Sequence, residues 1–167
     1  MTIDVLKRVL LRDLDALRRE IQAYPREEDV WTVPRGVQKS AGALARHAAG
    51  NLQHFIGAQL GGTDYVRDRD AEFAGPAVPR RELVAALTHA MHAVRTTLDA
   101  LPPERLTETY ALEVAGVRPP TEMLLIHLAA HLAYHLGQVD YHRRLVTGQG
   151  TTVGAQSLPA LLADDPT

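Results

Sequence analysis

Apolar residues recur at three- and four-residue steps through four long stretches of the chain, and each stretch ends at a Gly or Pro break. Ile3, Leu6, Leu10, Leu14, Leu17 and Ile21 form one stripe with Arg, Asp and Glu between them. That pattern predicts a first helix of about five turns, ended by Tyr24-Pro25. The connection through Pro34-Arg35-Gly36 carries Trp31, expected to cap one end of the core. Ser40 is a suitable N-cap for a second helix that runs to about Leu60, where Gly61-Gly62 stops it. Its repeating inner positions are Leu44, His47, Asn51, His54 and Ala58, a seam with polar groups where a simple bundle has leucines. Such positions border a cavity or partner surface, or they need hydrogen-bond partners, since unpaired buried polar groups cost about 1–3 kcal/mol each.

Residues 61–78 read as a long loop with a charged Arg67-Asp-Arg-Asp70 run. A third helix starts at Pro79 and presents Leu83, Leu87, Met91, Val94, Leu98 and Leu101 before Pro102-Pro103 ends it. Thr107 to Val114 reads as a short extended stretch leading to Pro119-Pro120. The fourth helix runs from about Thr121 to Thr147, with Gly148 as its stop, and its expected inner face carries Met123, His127, His131, Tyr134, His135, Gln138 and Leu145. Residues 148–167 form a tail that packs loosely or adds a short helix around Leu158 to Ala163. These elements predict an all-α single domain over residues 1–167, a four-helix bundle with long connections between helices two and three and helices three and four.

Composition narrows the function classes. At 167 residues the chain is long enough to bury a real core, and aromatics are only 5%. A net charge of −2 with interspersed acids and bases gives no attraction for phosphate backbones, which argues against nucleic acid. There is no cysteine, so the chain has no thiol nucleophile of its own and a metal must be held by nitrogen or oxygen donors. Met1 to Arg8 lacks the basic-then-apolar order of a secretory signal. Met123 to Gly137 is too short, and holds too many histidines, to cross a bilayer. A cytoplasmic location is expected.

His131 and His135 stand four residues apart on the fourth helix. That step turns about 400° and rises about 6 Å, so both imidazoles lean the same way and form a clamp for one metal ion. A catalytic zinc-type site takes three protein ligands and keeps one position open. The third ligand is His47 or its rival His54; ordinary hydrogen-bonded histidines are the competing reading for all of them. His127, a turn before His131, lies too far along the axis to share one ion with His135 and reads as pocket lining or a partner of the ligands. His89, His92 and His142 read as solvated. Asn51 and Gln138 are candidates to accept the second ring N–H of a ligating histidine, and Tyr134 lines the same face.

Gly36 to Asn51, Arg67 to Phe73 and His127 to Gln138 resemble, in order and spacing, the DinB-like superfamily of metal-binding four-helix bundles. The resemblance covers most of the chain. It implies a divalent metal, often zinc or nickel, held by one histidine of helix two and two of helix four, which here are His47, His131 and His135. It also implies transferase or isomerase chemistry with low-molecular-weight thiols such as bacillithiol, mycothiol or glutathione, and a homodimer. Ala48 stands where relatives often carry leucine, and no motif marks a thiol pocket or a general base. The expected function is a metal-dependent enzyme acting on small molecules, such as a thiol S-transferase; the alternatives are a metal-dependent hydrolase and a non-catalytic metal-binding stress protein.

Overall fold

A computed structural model describes residues 3–162. Within them lie six helices and no strand: α1 (Ile3–Gln22), α2 (Ala41–Leu52), α3 (Arg69–Ala74), α4 (Arg80–Ala100), α5 (Thr121–Thr147) and α6 (Pro159–Leu162). α2 continues without a break as a π-helical turn over Gln53–Ala58, and short 3-10 turns occupy Glu28–Trp31 and Pro103–Leu106. The stretch read as extended makes only isolated bridges, Thr109 with Pro120 and Val114 with Val117. No described helix is long and apolar enough to cross a membrane.

The helix ends follow local chemistry. The Ser40 hydroxyl accepts the Ala43 N–H at 3.2 Å and so satisfies a donor that the first turn of α2 leaves free. Gly148, in the left-handed conformation, closes α5. Trp31 donates its indole N–H to the Val78 carbonyl at 3.0 Å and lies flat against Gly42, where a Cβ would meet the ring at 2.8 Å. The indole thus pins the start of α2 to the connection before α4.

The α1 stripe is the core's backbone: Leu10, Leu14, Leu17 and Ile21 are fully buried. It packs on α4 and α5, and α2 packs on the same two helices. Each such leucine contributes about 1.5–3 kcal/mol by leaving water.

Four expectations are corrected. The segment 61–78 is not all loop, because α3 forms within it, with the Asp68 carboxylate accepting the Ala71 N–H. On α5 the buried line is Leu124, Leu125, Leu128, Leu132, Leu136 and Val139, whereas Met123, Tyr134 and Leu145 are well exposed and His127 and Gln138 also face outward. This helix is apolar on most sides, so several lines at helical spacing run through it, and the leucine line wins the core. His142 is buried rather than solvated. The tail, through residue 162, is held on α1 and α5 rather than loosely packed. Arg8, Arg12 and Arg19 from α1, with Arg143 and Arg144 from α5, bind Leu161, Gln156, Val153, Thr151 and Gly150 in turn. α6 covers most of the extra helix expected there, and Ala163 lies outside the described residues.

Candidate metal centre

The row His131–His135 runs along the margin of α5, between its buried leucines and its exposed side, and there it meets His47 from the middle of α2. His47 is buried and the other two are half-buried. One nitrogen of each ring lies within 4.8 Å of the other two. The Nε2 atoms of His131 and His135 are 3.1 Å apart, and those of His47 and His131 are 3.5 Å apart. Nitrogens bound at about 2.0–2.1 Å to one tetrahedral ion sit about 3.3 Å from each other. The two separations that involve His131 bracket that value.

The other ring nitrogens show which way the lone pairs point. His47 Nδ1 lies 2.8 Å from a Glu72 carboxylate oxygen, and Arg67 grips the same carboxylate through Nε and Nη2, each at 2.8 Å. Burial raises the pKa of Glu72, but the bonds from His47 and Arg67 outweigh it and hold the carboxyl below its ordinary value. The carboxylate is therefore an acceptor, His47 Nδ1 donates to it, and in the neutral ring this leaves the lone pair on His47 Nε2. His135 Nδ1 donates to the Gln138 side-chain carbonyl at 2.7 Å, so its Nε2 presents a lone pair as well. Two lone pairs now face His131 Nε2, which can donate a proton to only one of them. A single cation satisfies all three rings; their own hydrogen bonds cannot. Burial, then the neighbouring imidazoles, pushes His131 down to about 4, and burial lowers His135 against the raising effect of the Gln138 bond. Both rings are neutral at pH 7, the form that ligates.

Sequence reasoning missed Glu72 and Arg67. Glu72 occupies the place on His47 that had been assigned to Asn51. Asn51 is buried nearby, with a side-chain oxygen that accepts no hydrogen bond among the described residues. The glycine at position 50 makes room for the carboxylate, since a Cβ there would collide with Glu72 Oε1 and crowd the Tyr65 hydroxyl. Phe73, next along α3, packs its ring on His47 with centroids 4.6 Å apart. A signal was present in the charged run: Asp68 is an N-cap, and a helix starting there carries Glu72 at the end of its first turn with Phe73 next.

The remaining candidates fall around this cluster. Gln138 holds His135. His127 is exposed and stacks on His131 at 6.0 Å, and Tyr134 is exposed with its ring edge on His135 at 5.6 Å. His54 lies outside the cluster beside Phe55, and burial and the nearby Arg67 lower its pKa, partly offset by Glu72. His54 stands seven residues beyond His47, about 10.5 Å further along the helix axis, and the group whose ring nitrogens converge contains His47 and not His54. His142 belongs to another part of α5 altogether.

No curated protein and no solved structure matches the chain. A family model described as "Protein of unknown function (DUF1572)" matches residues 6–153, a span that includes all three converging histidines and Glu72. The chain belongs to that family.

Proposed function

We propose that His47, His131 and His135 hold one divalent metal ion, zinc or nickel, through their Nε2 atoms, and that the protein is a metal-dependent enzyme acting on small molecules, a thiol S-transferase. The observation that carries the metal is the convergence of three ring nitrogens within 4.8 Å of one another, with Glu72 and Gln138 holding the outer nitrogens of His47 and His135. In this reading α1, α2, α4 and α5 are the four helices of a DinB-like bundle, a single domain over residues 1–167 with 148–167 as its tail.

Three neutral imidazoles leave a fourth position open on a tetrahedral ion. A divalent ion there supplies Lewis acidity, which lowers the pKa of a coordinated thiol or water so that a nucleophile exists near neutral pH. The chain's own residues orient and tune. Glu72 fixes the tautomer of His47, Arg67 keeps Glu72 ionised, Gln138 fixes His135, and Phe73 keeps water off one face of His47. With no cysteine in the chain, the sulfur comes from a low-molecular-weight thiol such as bacillithiol, mycothiol or glutathione, and an electrophilic small molecule accepts it. The transferase chemistry, the cytoplasmic location and a homodimer rest on the resemblance. The exposed Met123 and Ile126 near the start of α5, away from the cleft beside His135, offer apolar surface for a second copy.

Elemental analysis of the purified protein, followed by assays of the metal-restored protein with a panel of thiols and electrophiles, tests both parts. Stoichiometric zinc or nickel and thiol-dependent turnover are expected. Turnover that ignores added thiol moves the reading to hydrolysis, bound metal without any turnover moves it to a non-catalytic metal protein, and absence of metal binding ends it.

A further inference from the structure

Beside the histidine cluster the surface opens into a cleft of about 800 Å3, within the range of small-molecule sites. His135 and Gln138 form its inner end, Phe73, Tyr134 and Tyr141 give it aromatic walls, and Lys39 stands at its lip. Among the described residues lining it there is no Asp or Glu, and Lys39 is the one Lys or Arg. His142 reaches the wall, but both its ring nitrogens are taken, one by the Tyr24 hydroxyl and the other by the Thr32 carbonyl.

Lys39 is unusual in this chain. The other lysine, Lys7, is paired with Asp4 and Asp99. Lys39 is exposed and has no carboxylate partner among the described residues; its ammonium lies over the Phe73 ring, 5.1 Å from the centroid. The same ring packs on His47, so one aromatic side chain separates the free ammonium from the metal cluster. A cation against an aromatic face is held only weakly when exposed and swings readily to an anion.

We propose that this cleft binds a small organic monoanion, with its apolar or aromatic body between Phe73, Tyr134 and Tyr141, its carboxylate-type end on Lys39, and its other end at His135, the one histidine of the cluster that lines the cleft. The inference deepens the proposed function by naming the class of its substrate. Charge decides against the alternatives. A cationic ligand meets no acid in the cleft and is repelled by Lys39, and a neutral one leaves the ammonium unanswered. A metal ion at the inner end adds positive charge and strengthens the same preference.

The test uses 3-phenylpropanoate and its uncharged isostere 3-phenylpropanamide as probes, titrated into the metal-free and the zinc-loaded protein and followed by two-dimensional NMR. The carboxylate is expected to shift resonances of Phe73, Tyr134 and Tyr141 and to bind about fivefold more tightly than the amide, the fold-change that an exposed ion pair supplies at the upper end of its usual range. In the metal-free Lys39→Gln variant the difference between the two probes disappears. Equal affinity for the two probes in the wild type, a preference that survives in metal-free Lys39→Gln, or no saturable binding of either probe overturns the proposal. Cleft resonances that move with protein concentration and not with probe also overturn it, since a second copy of the chain then fills the cleft. Zinc uptake is read separately by elemental analysis. An anion preference without zinc uptake leaves the cleft standing and removes the metal, and the reverse result does the opposite.

Discussion

His131 and His135 stand near the middle of α5 and His142 near its end, and the two places treat the same side chain in opposite ways. At the end of the helix His142 is fully answered. Its Nε2 donates to the Thr32 carbonyl at 2.8 Å, and its Nδ1 accepts from the Tyr24 hydroxyl at 2.7 Å. Beside it, fully buried Arg143 is bound to fully buried Glu20, a pair that leaves one oxygen and one nitrogen without a hydrogen-bond partner among the described residues, though not aimed at a shared point with other rings. At the middle of the helix, where His47 arrives from α2, the outer nitrogens of His47 and His135 are answered, while the inner nitrogens of the neutral rings converge with more lone pairs than protons. Complete satisfaction marks a polar group that builds the fold. Unsatisfied capacity aimed at one point marks a group that binds something.

Five experiments break or sharpen this contrast. The largest effect is expected from His131→Ala, which abolishes stoichiometric metal binding while the metal-free protein keeps its helical content. Elemental analysis with far-UV circular dichroism checks it, and metal retained at wild-type level contradicts the triad. Arg143→Met is the mirror case. It strands Glu20 in the core and lowers stability by about 3–5 kcal/mol, seen in chemical denaturation, with metal content per folded chain unchanged.

Next in size is Glu72→Gln, which frees the His47 tautomer and weakens metal affinity by about 10–100-fold in a competition titration with a chelator. Gly50→Ala weakens affinity in the same direction, because its methyl group pushes the Glu72 carboxylate off His47. The smallest effect is on pH dependence. Burial holds His142 below its ordinary value of 6.5, against the opposing pull of the Thr32 carbonyl and Asp29. The unfolded chain therefore takes up a proton before the folded one does. Stability from this group is fully present above about pH 6.5 and is lost as the pH falls below it, on the order of 1 kcal/mol per unit. The melting temperature of His142→Gln should be lower at neutral pH and fall less steeply in acid than that of the wild type.

The same contrast explains what was legible in the sequence. Helix ends were readable because Ser40, Gly148 and the proline pairs act on their immediate neighbours. The clamp of His131 and His135 was readable because four residues on one helix fix a geometry without any tertiary contact. Satisfaction across the fold was not. Tyr24 reaches His142 over 118 residues of chain and Glu72 reaches His47 over 25, and no local pattern announces either pairing. The inner face of α5 was misjudged for a related reason: its leucines and its histidine row sit at equivalent helical spacings, and only the packing of α1 and α2 chooses between them. His47 is what the resemblance implies; spacing alone leaves it level with His54, and the structure brings His47 to the α5 pair.

The five arginines that hold the tail have a mechanical consequence. Their attachment points are spread from Gly150 to Leu161, so a chain pulled from its C-terminal end loads them in succession and not together. The strap would peel in small early steps while the helices behind it stay locked, and the histidine cluster would feel no force until the last of those arginines let go.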